Sequence, residues 1–184
     1  YKRQILTCLQ QSVMNLGILM VQGLVNSFGT VVMAAFAAAV KIDAFAYMPV
    51  QDFGNAFSTF IAQNYGAKED ERIRKGLKAA VSISIGFCLV VSLLVFICAK
   101  PLMMIFVNEI DVIKEGVRYL RIEGSFYLGI GCLFLLYGLY RAIGKPAMSL
   151  VLTILSLGTR VLLAYILSSI VGVVGIWWSV PIGW

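Results

Sequence analysis

Long apolar stretches separated by short polar links dominate the pattern of this chain. Five complete apolar segments can be read, and a sixth begins near the C-terminus. A helix that crosses a membrane needs about 20 residues, and each complete segment reaches that length. The pattern therefore predicts an all-α, polytopic transmembrane helix bundle of six helices, the last incomplete, at about Gln4–Phe28, Val31–Tyr65, Leu77–Ala99, Tyr119–Ile143, Pro146–Val171 and from Gly175 onward.

Local signals mark the limits of these segments. Pro49 interrupts the second segment, because proline removes a backbone hydrogen bond and kinks a helix. The third segment is expected to stop at Lys100-Pro101, and an amphipathic stretch from Ile110 leads into the fourth.

Composition narrows the class of protein. Apolar residues make up 60% of the chain and charged residues 13%, and the mean hydropathy is +0.91. These values disfavour disorder, a disulfide scaffold and a nucleic-acid-binding domain. The chain has no His, and its 4 Cys show no metal-binding spacing. We therefore expect no metal site and no enzyme, because the usual general base and metal ligand are missing.

The basic residues predict the orientation in the membrane. If the helices alternate, nine of the 15 basic residues fall on one side, because they lie before the first segment, in the link Gly66–Lys78 and in the link that holds Arg141 and Lys145. Cytoplasmic links carry an excess of Lys and Arg. The N-terminus and Gly66–Lys78 are therefore predicted to be cytoplasmic in a protein of the inner, or plasma, membrane.

The two ends of the sequence suggest a piece of a longer protein. The chain starts without Met at Tyr1, and it stops at Trp184 inside an apolar segment. Many transporters consist of two equivalent halves, for which six spans are a common size. We therefore expect residues 1–184 to form one such half.

Polar side chains inside the first segment follow one face. At about 100° per residue, four amides fall within about 60° of one another; they are Gln11, Asn15, Gln22 and Asn26. This face is not expected to meet lipid, because buried polar groups need partners or water. Two interpretations stay open: hydrogen bonding between helices, or the wall of an aqueous or substrate cavity.

The second segment repeats the pattern. One side of an ideal helix collects five polar residues: Lys41, Asp52, Asn55, Thr59 and Gln63. Asp43 falls opposite Lys41. An internal charge balance that stabilises packing and a contact to substrate or ion are both compatible with this arrangement.

Arg160 lies close to the centre of the fifth segment and needs an acidic partner or water. The available acids are Asp43, Asp52 and Glu123, of which Asp43 is the favoured partner and Glu123 is expected near the membrane interface. We expect Lys41, Asp43 and Arg160 to be paired or hydrated inside the bundle. Tyr127, Tyr137 and Tyr140 are candidates for aromatic cavity walls or for core packing.

Several stretches together resemble one transporter family. Val21–Gly29, Ala34–Asp43 and Gln63–Ala67 resemble the seventh and eighth helices of bacterial MATE-family multidrug and toxic compound exporters. Tyr140–Pro146 looks like the link between that family's helices ten and eleven, and Gly175–Trp184 looks like the opening of helix twelve. The resemblance covers essentially the whole chain, and the segments occur in family order.

This resemblance implies that residues 1–184 are the C-terminal lobe of a twelve-helix exporter, helices seven to twelve with the last incomplete. The partners would be membrane lipid, an N-terminal six-helix lobe and small amphiphilic or cationic substrates, with no nucleic acid. The family exchanges such substrates for Na⁺ or H⁺ through alternating access, and no further cofactor is implied.

The site residues that follow are the cavity-lining candidates Gln11, Asn15, Gln22, Asn26, Lys41, Asp43, Asp52, Asn55, Thr59, Tyr127, Tyr137 and Arg160. Some members of the family carry a Glu on helix seven and an Asp on helix ten. Here Asn15 stands at the Glu position, and the fourth segment has no deep Asp. The coupling ion is therefore expected to bind mainly in the N-terminal lobe.

Two alternatives to multidrug export remain. A lipid-linked oligosaccharide flippase of the same superfamily would favour cationic residues in the cleft, as Lys41 and Arg160 could supply. A structural or channel subunit would not move substrates by coupled exchange.

Overall fold

The computed structural model describes the backbone of residues 2–184 and the side chains of residues 5, 6 and 8–184. Within this part the chain forms seven helices: α1 (Lys2–Asn26), α2 (Thr30–Gly66), α3 (Asp70–Phe106), α4 (Ile110–Gly124), α5 (Tyr127–Ala142), α6 (Pro146–Val171) and α7 (Val173–Ile182). The predicted all-α bundle is confirmed. Tyr1 and the side chains of Lys2, Arg3 and Gln4, which enter the predictions of orientation and of the first span, lie outside the described residues.

Among the described residues, four helices are long and apolar enough to cross a membrane, namely α1, α2, α3 and α6. The helices α4 and α5 form a fifth candidate span that is bent by 53°. The predicted fourth segment is therefore two helices, broken at Ser125-Phe126. At the break, the hydroxyl group of Ser125 donates to the carbonyl of Arg121 at 2.6 Å, a contact that competes with continued helix.

The helix α3 is longer than predicted at both ends. It begins at Asp70, so the turn after α2 consists of residues 67–69 and most of the predicted Gly66–Lys78 loop is helical. Its first turn carries Asp70 and Glu71, whose charges favour a helix N-terminus.

The predicted stop at Lys100-Pro101 is wrong, because α3 continues to Phe106. Tertiary packing explains why the proline is tolerated. Met103, two residues beyond it, is fully buried against Gly116 of α4, where an added Cβ would come within 2.1 Å of the methionine side chain.

Close contact between α2 and α5 organises the centre of the bundle. A Cβ on Gly138 would lie 2.6 Å from the carbonyl oxygen of Gly54, and one on Gly54 would lie 3.0 Å from that of Phe134. Small residues let membrane helices approach in this way. The contact sets the aromatic face of α5 directly against the buried face of α2.

An aromatic cluster closes the bundle on the side of α7. The rings of Phe36 and Trp177 stack at 5.7 Å, and Tyr119 meets Trp177 edge to face at 4.8 Å. These residues come from α2, α7 and α4, and all three are buried. The cluster ties the N-terminal half of α2 to α4, which carries Glu123.

Candidate functional site

A cavity of about 140 Å³ lies between α1, α2, α4, α5 and α6. Its walls are mostly apolar and aromatic, with Phe36, Tyr47, Tyr119 and Phe134 among them. Three charged residues face this space: Asp43 of α2, Glu123 of α4 and Arg160 of α6. The bundle therefore brings the predicted Asp43 and Arg160 together, and adds Glu123.

The two acids are deeply buried. The exposed fraction is 4% for Asp43 and 6% for Glu123, so Glu123 is inside the bundle and not at the interface as predicted. Glu123 lies at the end of α4, immediately before the break between α4 and α5. The fourth candidate span thus carries a buried acid.

Hydrogen bonds link these residues to α5. The hydroxyl group of Tyr127 donates to Oδ1 of Asp43, and the carboxyl group of Glu123 borders the same cavity. Two buried carboxylates that face one cavity repel when both are ionised, and protonation of one of them relieves that repulsion. The pair is therefore suited to holding a proton.

Arg160 balances this charge only in part. Among the described residues its guanidinium group makes no ion pair with either acid at 4.0 Å or less. Oδ2 of Asp43, Oε2 of Glu123 and Nε of Arg160 are buried without a hydrogen-bond partner in the described protein. With both acids ionised the group carries one net negative charge, which one monovalent cation neutralises.

The remaining predicted residues of α2 lie on its opposite face. Asp43 is buried, whereas the five other polar residues are exposed, namely Lys41, Asp52, Asn55, Thr59 and Gln63. Lys41 therefore does not join Asp43 and Arg160, contrary to the expected grouping of the three. The polar residues before and after Pro49 share one helical face, as predicted, because α2 continues through the proline.

The amide face of α1 is exposed as well. Val21 and Val25 pack into the interior, whereas the four amide side chains are exposed, namely Gln11, Asn15, Gln22 and Asn26. Met14 and Ile18 line the cavity; Met14 shares the buried face of the helix, and Ile18 lies between that face and the amide face. The stripe thus borders the cavity side of α1 without entering the core.

Gln10, which the sequence pattern did not single out, is the amide that does enter the core. It is 7% exposed and joins α1 to α6, because its Nε2 donates to Oγ1 of Thr153 at 2.9 Å. The hydroxyl group of Ser149 donates to Oε1 of Gln10 at 3.0 Å. Its adjacency to Gln11 in an apolar segment was the available signal, since the two side chains point about 100° apart.

A second, smaller recess of about 40 Å³ opens beside the first. It brings together the predicted Gln11, Asn55 and Tyr137 with Gln51 and Arg141. Nη2 of Arg141 donates to Oδ1 of Asn55 at 2.8 Å. Sequence reasoning treated Arg141 only as a charge in a cytoplasmic link, because its position at the end of α5 gives no sign of the turn toward α2.

Comparisons with known proteins agree with this architecture. The family model described as MatE matches residues 5–166. The chain is 30% identical over 148 residues to a probable multidrug resistance protein, YpnP, of Bacillus subtilis, covering 80% of this chain and 33% of that protein. It is 29% identical over 154 residues to an FAD transporter of Shewanella oneidensis, covering 81% and 33% respectively.

The fold also matches a solved structure. The MATE transporter VcmN of Vibrio cholerae, in its bent form, superposes with a TM-score of 0.88 at 25% identity, over 95% of this chain and 40% of that one. The chain thus spans about a third of the length of the curated relatives described above.

Proposed function

The chain belongs to the MatE family, and we propose that it forms the C-terminal six-helix lobe of a secondary active exporter. As a member of this family it is a multi-pass membrane protein. In the proposal, a second lobe completes a cleft that opens alternately to the two sides of the inner membrane. Organic cations and other amphiphiles leave the cell in exchange for Na⁺ or H⁺.

The observation that carries this proposal is the buried acid pair beside Arg160 in an otherwise apolar cavity. Binding of one cation changes its net charge from minus one to zero, a large change in a medium of low dielectric constant. A conformation that opens the cavity to water favours the charged form, and a closed conformation favours the neutral form. This difference in affinity between two conformations is what ion coupling requires.

The Tyr127 hydroxyl group adds a reason to favour H⁺ at this pair. It occupies one oxygen of Asp43 as a donor, so that oxygen is not free to coordinate a metal cation. A proton needs no coordination shell, and a single carboxylate oxygen suffices to bind it. The expectation that the main coupling acid belongs to the N-terminal lobe stays a prediction, and the pair described here is a further candidate within this chain.

The test is growth protection by the complete protein in a bacterial host that lacks its main efflux pumps. The unaltered protein is expected to raise the inhibitory concentrations of ethidium and norfloxacin. Asp43→Asn and Glu123→Gln each remove one ionisable group at nearly constant size, and each is expected to abolish most of that protection with folded protein still in the membrane.

Asp111→Asn is the matched control. It removes an acid from α4, the helix of Glu123, at an exposed position that pairs with Lys114 at 3.5 Å. Exposed pairs of this kind contribute less than about 1 kcal/mol, so protection is expected to persist. Full protection by both Asp43→Asn and Glu123→Gln would refute a role of the acid pair in coupling.

A second candidate is a flippase for lipid-linked oligosaccharides or another phosphate-bearing molecule. It is favoured by Lys41, a cation on the exposed face of α2, and by the relative that is named an FAD transporter. Failure of the complete protein to protect against ethidium and norfloxacin, although it is folded in the membrane, would favour this candidate.

A further inference from the structure

We propose that Arg141, with the amides of Asn55, Gln51 and Gln11, binds an anionic oxygen group of the transported molecule, a carboxylate or a phosphate. The inference rests on the proposed transport function and specifies its substrates. It predicts amphiphiles that carry an anionic group beside their aromatic or cationic part.

The recess around Arg141 carries a positive charge without a nearby acid. Arg141 is half-buried, and within the described residues it has no acid at 4.0 Å or less. The residues around this recess include no Asp or Glu. By contrast, Lys75, Lys114 and Arg118 each pair with an acid. A half-buried guanidinium group without a counter-charge attracts an anion.

Several hydrogen-bond donors of Arg141 remain free for a ligand. A guanidinium group has five N–H donors in a planar fork that matches carboxylate and phosphate oxygens. Arg141 uses Nε for the carbonyl of Tyr137 at 3.3 Å and Nη2 for Asn55 at 2.8 Å. Three N–H donors remain, and the amide of Gln51, which makes no hydrogen bond among the described residues, faces the same space.

The side chain of Arg141 is oriented toward α2. A basic residue in the last turn of a helix often interacts only with the terminal carbonyls of that helix. Here Nη2 instead reaches Asn55 on α2, a residue of the exposed polar face. The guanidinium group is therefore held between α5 and α2, and it borders the same recess as Gln11 of the amide stripe on α1.

Size and lining indicate which part of a substrate fits. A recess of about 40 Å³ admits a head group but not a whole drug molecule. The rings of Phe134 and Tyr137 line it and meet at 6.2 Å, next to the larger apolar cavity that they also line. An anionic head group at Arg141 would therefore have an apolar body against these rings.

The experiment measures binding of matched ligand pairs to the purified complete protein. Flavin mononucleotide and riboflavin share a ring system and differ by a phosphate, and norfloxacin and its methyl ester differ by a carboxylate charge. The unaltered protein is expected to bind the anionic member of at least one pair about 10-fold more tightly. The pair that shows this preference identifies the group, and no preference in either pair would overturn the proposal.

Arg141→Gln is expected to reduce that preference to nearly none. The matched control is Lys145→Gln, which removes a positive charge four residues away at an exposed position outside the recess; it is expected to keep the preference. An equal loss in both variants, or no loss in Arg141→Gln, would overturn the assignment of Arg141.

Asn55→Asp tests the same proposal in a protein that keeps Arg141, so the result does not depend on whether the fold tolerates loss of the arginine. It puts a carboxylate next to Nη2 of Arg141, so the chain itself supplies the counter-charge. The preference is expected to disappear while Arg141 stays paired and the protein stays folded. A preference that persists in Asn55→Asp would contradict the proposal. These assays measure binding and not transport. A failed growth assay would therefore count against the proposed export function without deciding the result of the binding measurements.

Discussion

At the scale of single residues, Arg160 shows that a buried charge needs opposite charges nearby. Its Nε and one oxygen of each neighbouring acid lie buried without a partner in the described protein. The group tolerates this arrangement because opposite charges share one cavity. Removing the positive member leaves two acids to repel each other.

We therefore expect Arg160→Met to destabilise the folded protein, because it leaves two buried acids without a counter-charge. Thermal unfolding of purified protein in detergent measures this effect. The double variant Asp43→Asn, Arg160→Met restores a single net negative charge and is expected to regain part of the loss. If the double variant is less stable than Arg160→Met alone, the charges do not act as one group.

Lys41→Met is the control for this series. It also removes a positive charge from a predicted span, but its side chain is exposed on the face of α2 opposite Asp43. A substitution at such a site is expected to change the unfolding free energy by about 0.5 kcal/mol or less.

At the scale of the helices, the approach of α2 and α5 depends on Gly54 and Gly138. Gly138→Ala would bring a methyl group to 2.6 Å from the carbonyl oxygen of Gly54. The two helices must then separate, which is expected to cost about 1–3 kcal/mol and to lower the thermal unfolding temperature.

Gly86→Ala in α3 is the corresponding control, since an added Cβ there meets no atom within 4 Å. Alanine has the higher helix propensity, by up to about 1 kcal/mol, so this variant is expected to be as stable as the unaltered protein or slightly more stable. If Gly138→Ala matched Gly86→Ala, the close approach would not matter for stability.

At the scale of the whole molecule, the two exposed polar stripes on α1 and α2 require water or a second lobe. We expect the amide face of α1 to line the cleft of the complete protein. In a variant without native cysteines, Asn15→Cys and Gln22→Cys are expected to react with a membrane-impermeant thiol reagent.

Leu16→Cys and Met20→Cys are the comparison. In this chain these side chains are 59% and 44% exposed. The amides Asn15 and Gln22 are exposed as well, so exposure in the single lobe does not distinguish the two sets. Contact with lipid is expected to protect them from the reagent. Equal labelling of all four positions would contradict a cleft-facing stripe.

How much of this protein follows from its sequence can be judged from particular residues. The apolar segments predicted the helices, and helical phase alone put Asp43 opposite Lys41, as observed. These features are local, because about 3.6 residues per turn determine which side chains share a face. The family resemblance, also based on sequence, agrees with the MatE match.

Only the tertiary structure decided which faces meet. Nothing in the spacing of α3 showed that Met103 packs against Gly116 and carries the helix past Pro101. Likewise, Glu123 was expected at the interface, but the break after Gly124 places it in the same cavity as Asp43. Arg141 contacts Asn55, which is 86 positions away in the chain. Such contacts depend on the packing of distant helices, whereas periodicity constrains only the surface of each helix by itself.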